Sequence, residues 1–356
     1  MHYILIVKML PLSVGITYYK NLNTSFITTA PGAYNMWLQI RLYLLVALLF
    51  AILYGLFVGI AYMLGYSGFT FYIMVFGLAF GLIFIQFLIG PKIVEWSMKV
   101  RYVNENEYPN IHKMVEELSQ KADLPKKPKV GIAEIKIPNA FAFGRTKKDA
   151  RVCVTRGILD LLNEDELKAV LGHEISHIKH RDVVIITMLS VIPMICYMLF
   201  ITLFWGGRRD RNSGGAMAIG LLALAIYFIT SILVLYGSRI REYYADAGSV
   251  ELGSKPNDLA TALYKLTLVS AKTPKKLLKK AEGVKAFLLN DPSNAMNEVR
   301  ELKDIDLDMS GTIDQDELRI LTTKKIKLTG ADRLLEVFSS HPNMKKRIKH
   351  LATLSN

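Results

Sequence analysis

Four stretches without a charged residue constrain this chain more than any other feature of its sequence. They are 42–66, 69–90, 183–207 and 216–238, and each provides the roughly 20 apolar residues that a helix needs to cross a bilayer. Four such runs in 356 residues predict a multi-pass α-helical membrane protein rather than a soluble protein with buried helices. Only two residues separate the first pair, and a short polar loop separates the second. We therefore expect two transmembrane hairpins.

The charged residues lie mostly in two long segments, 92–182 and 239–356, which carry 38 of the 44 Lys and Arg residues. An even number of spans between the two segments places both on the same side of the membrane. Because basic residues near span ends stay in the cytoplasm, we expect a cell-membrane protein with both segments on the cytoplasmic side. Most of the net charge of +13 then comes from acid-poor flanks of the spans and from a Lys-rich run over 265–285. The lipid bilayer is an expected partner, and no nucleic-acid partner is expected.

The first 35 residues differ from the rest of the chain. Lys8 interrupts their short apolar run, and Met36 reads as a natural start just before the first span. We interpret residues 1–35 as an extension that is either disordered or not part of the natural protein. The predicted order is the extension (1–35), a membrane hairpin (36–91), a cytoplasmic segment (92–182), a second membrane hairpin (183–238) and a second cytoplasmic segment (239–356).

The first cytoplasmic segment has the pattern of an α+β domain. Helical periodicity covers 108–122, and strands are predicted at 129–137 and 151–155 with an extended piece between them. Asn163 is a predicted N-cap, and Glu166 three residues later completes a capping box. A helix over 164–179 therefore follows the last strand.

A metal site is predicted on that helix. His173 and His177 are four residues apart, so they project from one helix face and can bind the same tetrahedral ion. Glu174 lies beside the first histidine, where a carboxylate can take a proton from water activated by zinc. The spacing predicts one Zn²⁺ per chain, with Glu174 as the general base.

The third ligand is expected just after the fourth apolar stretch. Glu242 and Asp246 are four residues apart on a predicted helix. Zinc in hydrolases commonly takes two His and one Glu and leaves a fourth position for water, so Glu242 is the predicted third ligand. Asp246, one turn later, is predicted to hydrogen-bond a ligand imidazole. The alternative for both residues is an acidic pair on the protein surface.

These motifs and their order resemble the HtpX-type membrane zinc metalloproteases, which are relatives of the CAAX prenyl proteases. The resemblance implies a zincin domain of the gluzincin type, built from both cytoplasmic segments. It also implies an endopeptidase that cleaves misfolded or damaged membrane proteins in stress-related quality control. The similarity covers about 36–356 apart from one insert and is carried by 36–49, 139–144, 171–177, 241–248 and 341–348.

When the roles known for the family are transferred to the matching positions, the resemblance implies that the zinc ligands and the base are the four residues already selected by spacing. It places Asn139 and Ala140 on an edge strand that pairs with the substrate backbone. The transition state also needs a donor for the developing oxyanion. His341 and Arg347 are the candidates, and the alternative for both is a structural role at the C terminus.

The insert that departs from the family pattern is the acidic loop 306–317. Its twelve residues match an EF-hand loop, with Gly311 at the sharp turn and Ile313 as the apolar anchor. The insert therefore predicts a Ca²⁺ site, and the alternative is an acidic surface loop, since EF-hands normally pair and one is visible. The predicted oxygen ligands are Asp306, Asp308, Ser310, the Thr312 carbonyl, Asp314 and Glu317.

Three functions are compatible with these patterns. The leading one is an integral-membrane zinc endopeptidase acting on unfolded or damaged membrane proteins. The second is a prenyl-protein protease, which four spans disfavour because those relatives carry more. The third is a non-catalytic membrane sensor or scaffold that binds metal, which Glu174 disfavours because a structural site needs no base. No feature specifies the cleavage preference or the oligomeric state.

Overall fold

A computed structural model describes residues 31–63, 69–206, 213–273, 299, 302, 305–323 and 330–355. The chain divides into two compact units, 1–44 and 45–356. Most of the predicted extension lies outside the described residues, but its last five residues belong to the first helix. The described elements are α1 (Pro31–Met63), α2 (Phe69–Ser97), β1 (Val100–Tyr102), α3 (Pro109–Lys121), β2 (Lys129–Ala133), β3 (Ala140–Gly144), β4 (Ala150–Thr155), α4 (Arg156–Leu161), α5 (Glu164–Lys179), α6 (Asp182–Gly206), α7 (Ser213–Glu251), α8 (Pro256–Lys272), α9 (Gln315–Thr323), α10 (Gly330–Val337) and α11 (Met344–Thr353).

The helices α1, α2, α6 and α7 overlap the four uncharged stretches, although α1 begins well before its stretch and α7 continues well beyond it. Within the described residues, the windows 80–97 and 217–251 are long and apolar enough to cross a membrane by length and composition. Shorter apolar helices cover 43–59 and 192–201. Large apolar side chains on these helices, such as Phe84 on α2, face outward rather than into the protein. Such a surface is unusual on a soluble domain and favours contact with lipid.

A four-stranded sheet follows the first two helices. Its order is β1-β2-β4-β3, with β2 and β4 parallel and both outer pairs antiparallel. Every residue of β4 is buried, as expected for a central strand. The strand β3 is an edge of this sheet, and α5 packs against it.

The helix α5 begins where the capping box predicts. The Asn163 side chain accepts a hydrogen bond from the Glu166 backbone at 2.9 Å, and the Glu166 carboxylate accepts one from the Asn163 backbone at 3.2 Å. Lys265 of α8 also binds the Glu166 carboxylate, with Nζ 2.7 Å from Oε1. Since α5 also packs against α3, α7, α8 and β3, it is the central helix of the domain.

Glycines allow α5 and α7 to approach closely. A Cβ added at Gly248 of α7 would lie 2.0 Å from Oγ and 2.7 Å from Cβ of Ser176 on α5. A Cβ added at Gly172 of α5 would lie 2.9 Å from Oγ of Ser249 on α7. The Ser249 hydroxyl in turn donates to the Ala169 carbonyl at 2.6 Å. This approach sets the distance between the histidine face of α5 and the acidic residues of α7.

We predict that Gly248→Ala separates the two helices, because the added methyl group overlaps the fixed Cβ of Ser176 as well as its hydroxyl. The expected cost is about 1–3 kcal/mol of stability, together with weaker metal retention. Thermal unfolding and metal content of the purified protein measure both effects. Gly215→Ala on the same helix is the matched control, since nothing lies within 4 Å of its added Cβ. Equal stability of the two variants would contradict the prediction.

Candidate metal centre

Three predicted ligands meet in the buried contact between α5 and α7. The Nε2 atoms of His173 and His177 lie 3.2 Å apart. Glu242 of α7 places Oε2 3.6 Å from Nε2 of His173 and Oε1 3.6 Å from Nε2 of His177. Donors that bind one tetrahedral zinc at about 2.0–2.1 Å lie ~3.3 Å from each other. The two nitrogens and the Glu242 carboxylate therefore lie at about the spacing of the ligands of a single ion.

The opposite nitrogen of each histidine faces a carboxylate. Nδ1 of His173 lies 2.9 Å from Oδ1 of Asp246, and Nδ1 of His177 lies 2.9 Å from Oδ2 of Asp182. A carboxylate accepts a hydrogen bond, so each Nδ1 carries the proton and each Nε2 presents a lone pair. Two lone pairs facing each other at 3.2 Å repel unless a metal ion or a proton lies between them. The donor set therefore fits a metal ion.

Asp246 faces the His173 imidazole, whereas Asp182 is not among the residues predicted from the sequence. Asp182 is fully buried at the first position of α6, directly after the break that Arg181 makes with a φ of +59°. Arg241 binds the Asp182 backbone carbonyl at 3.1 Å. The sequence signal for Asp182 is its position as an acidic residue between the histidine-bearing helix α5 and the apolar stretch 183–207.

Arg347 of α11 neutralises the acidic side of the centre. It is fully buried and bidentate on Asp246, with Nε 2.9 Å from Oδ2 and Nη2 2.6 Å from Oδ1. Its Nη1 lies 3.1 Å from Oε2 of Glu242. Burial lowers the pKa of His173, but Asp246 and Glu242 outweigh it and raise the pKa to about 9. The two carboxylates thus favour positive charge at His173, and a metal ion on Nε2 would supply that charge in place of a proton.

The two candidate oxyanion donors lie in different surroundings. Arg347 faces the carboxylates of α7, which favours the structural alternative for it. His341 is partly exposed and places Nδ1 3.2 Å from Oε2 of Glu242. Of the two, His341 is therefore the better candidate for a group that contacts a substrate.

The general-base candidate and the edge strand lie beside the ligands. Glu174 is buried on α5, next to His173. The Asn139 backbone bonds Thr155, with Asn139 N 2.8 Å from Oγ1 and Thr155 N 2.9 Å from the Asn139 carbonyl. Because bonded pairs alternate along an antiparallel ladder, the backbone groups of Ala140 point away from β4. The far end of β3 and His177 line one cleft.

The predicted calcium ligands form a second group, separate from the histidines. Asp306, Asp308 and Glu317 bring carboxylate oxygens within 4.8 Å of one another. The other predicted ligands, Ser310, Thr312 and Asp314, belong to the same loop, immediately before α9.

Comparison with known proteins identifies the family. Residues 105–355 match the model of peptidase family M48. The chain belongs to this family. It is 53% identical over 231 residues to a protease HtpX homolog of Methanothermobacter thermautotrophicus, covering 65% of this chain and 86% of the relative. It is 33% identical over 294 residues to protease HtpX homolog 2 of Methanosarcina acetivorans, covering 81% of this chain and 86% of the relative.

These matches confirm the predicted resemblance and the prediction of a metalloprotease. The M48 family implies a bound metal, and the buried group of two histidines and one glutamate is a candidate for holding it. The crystal structure of S. mikatae Ste24p is similar at a TM-score of 0.46 and 18% identity, over 95% of this chain and 67% of that one.

We predict that Asp182→Asn weakens metal binding by about 10–100-fold, because the neutral amide is a weaker acceptor than the carboxylate and can also turn its NH2 group towards Nδ1, so the tautomer of His177 is no longer fixed. Competition with a metal chelator measures the affinity on the purified protein. Asp160→Asn is the matched control, since Asp160 is exposed on α4. Wild-type affinity in the Asp182 variant would mean that this carboxylate does not orient the ligand.

Proposed function

We propose that this metalloprotease is an integral-membrane zinc endopeptidase that acts at the cytoplasmic face on unfolded or damaged membrane proteins. One observation carries the proposal: two imidazole nitrogens and one carboxylate converge at 3.2–3.6 Å, with a further buried carboxylate next to them on the same helix. A purely structural metal site has no need of that fourth group, whereas hydrolysis does.

His173, His177 and Glu242 would hold the zinc. When bound there, zinc supplies Lewis acidity, which polarises a substrate carbonyl and lowers the pKa of water towards ~7. Asp246 and Asp182 hold both imidazoles in the tautomer that presents Nε2. Arg347 holds the Glu242 and Asp246 carboxylates in position from behind.

Glu174 would take the proton from the attacking water and deliver it to the leaving amine. Its position beside His173 places it within one residue of the ligand set. The Ala140 backbone would pair with an extended substrate segment at the edge of the sheet, as in β-strand addition. His341 would donate to the developing oxyanion. An extended segment is a feature of unfolded chains, which supports an unfolded substrate.

The membrane helices support a site close to the bilayer. Asp182 begins α6, and Glu242 lies near the end of α7, so both helices of the second hairpin contribute to the centre. Packing of α5 against α8 requires the segments before and after this hairpin to lie on one side. Their Lys and Arg residues favour the cytoplasmic side. Substrates emerging from the membrane would then reach the site directly.

The proposal predicts that Glu174→Gln lowers the rate of cleavage by about 10²–10⁴-fold and leaves the zinc content unchanged. The amide keeps the size of the side chain but cannot accept the proton. Cleavage of an unfolded protein such as casein, together with metal analysis of the same sample, measures both quantities. Glu164→Gln, an exposed change on the same helix, is the control and should be fully active.

Removal of zinc with a chelator should abolish the cleavage, and added zinc should restore it. Unchanged cleavage by the Glu174 variant would exclude the proposed general base. Cleavage of prenylated peptides but not of unfolded proteins would favour the prenyl-protein alternative.

A further inference from the structure

The acidic loop 306–317 has the internal order of a calcium loop. Gly311 adopts a φ of +80°, the left-handed conformation that the sixth position of an EF-hand requires. The two carboxylate oxygens of Glu317, the twelfth position, accept from Leu307 N at 2.6 Å and Asp314 N at 3.0 Å. Both oxygens of the residue expected to bind bidentately are thus turned into the loop.

Buried charge supplies independent support for a cation. Seven carboxylates are buried among the described residues. Four of them have a basic side chain within ion-pair distance: Glu166, Asp182, Glu242 and Asp246.

The other three are Glu174, beside the candidate zinc centre, and Asp306 and Glu317 of the loop. No basic side chain in the described part of the chain lies within ion-pair distance of these three. Asp306 and Glu317 are each only 5% exposed. Buried carboxylates are normally paired with a cationic group or coordinate a metal. Among the described residues, Asp306 and Glu317 therefore lack the basic partner that a buried carboxylate normally has, and a bound cation would supply the missing positive charge.

The loop docks on the protease domain instead of on a second EF-hand. The Ile313 side chain at the eighth position is buried in the main core. Its backbone N–H donates to Oγ1 of Thr261 on α8 at 2.9 Å, and Thr261 Oγ1 lies 3.1 Å from the Ile313 carbonyl. Thr261 thus occupies the backbone groups that a paired loop would otherwise bind.

Tyr264, one turn further along α8, donates to Oδ2 of Asp306 at 2.9 Å. A predicted first-position ligand is thereby held from outside the loop.

Two contacts connect the loop to the zinc centre. The helix α9 leaves the loop and packs against α11, which carries Arg347, the residue that holds Glu242 and Asp246. The helix α8, on which the loop docks, carries Lys265, which binds the Glu166 cap of the motif helix. Ordering the loop would therefore stabilise elements on both sides of the centre.

We propose that loop 306–317 is a Ca²⁺ site whose occupation tightens zinc binding through the α9–α11 and α8–α5 contacts. The ligands are those expected at EF-hand positions, with oxygen donors only, which suit Ca²⁺. The proposal concerns binding at two sites and does not depend on the peptidase activity.

The first test measures calcium binding to the purified full-length protein by calorimetry in a magnesium-containing buffer. Terbium, which replaces calcium, gives a second signal through excitation of nearby tyrosine. Glu317→Gln should weaken binding by about tenfold or more, since it removes a bidentate ligand charge. Asp308→Asn should also weaken binding. Because Asp308 is exposed, the change is not expected to disturb folding, so weaker binding by this variant would report on the site itself. Asp316→Asn is the matched control, because Asp316 is exposed at a position that supplies no ligand.

The second test measures the affinity for zinc by competition with phenanthroline, which binds zinc and leaves calcium in solution. Calcium should tighten zinc binding by about fivefold or more in the wild type and in the Asp316 variant. It should have no effect in the Glu317 and Asp308 variants. Because linkage is reciprocal, zinc must tighten calcium binding by the same factor.

Absent calcium binding, or equal binding by the Glu317 and Asp316 variants, would overturn the assignment of the site. Calcium binding without any change in the affinity for zinc would overturn the coupling. Both readouts are independent of cleavage, so they remain informative if the proposed substrate class is wrong.

Discussion

The two imidazole nitrogens that face each other across 3.2 Å on α5 are the constraint on which the rest of the site depends. Asp246 and Asp182 fix both rings so that their lone pairs converge. Such an arrangement is unfavourable in a buried helix contact without a positive ion, because the lone pairs repel. The surrounding charges follow from this requirement. Arg347 offsets the negative charge of Glu242 and Asp246 that a single metal ion would not balance.

The centre also depends on how closely two helices approach. Gly248 and Gly172 let α5 and α7 pack with serine side chains between their backbones, and this brings Glu242 to the histidines. The helix α7 is also one of the apolar helices long enough to cross a membrane. One helix therefore carries both a candidate membrane span and a candidate metal ligand.

Much of this protein's structure can be predicted from local sequence patterns. Helical periodicity places two histidines on one face four residues apart, and uncharged runs of sufficient length place the apolar helices, because both patterns depend only on neighbours in the chain. Other features lie beyond local pattern. The strand β1 has three residues, too few to show alternation. Asp182 reads as the polar end of an apolar stretch, and its bond to His177 depends on the left-handed turn at Arg181.

By itself the sequence determined the candidate ligands, the base, the acidic loop and the apolar helices, since residue type and spacing limit each of these. Only the tertiary structure decided that Arg347 lies behind Glu242 and Asp246, and that Thr261 and Tyr264 receive the acidic loop. Each of these contacts joins residues that are far apart in the chain. Their contacts depend on how buried charges and backbone groups are satisfied when the helices pack, a constraint that acts only in the folded protein.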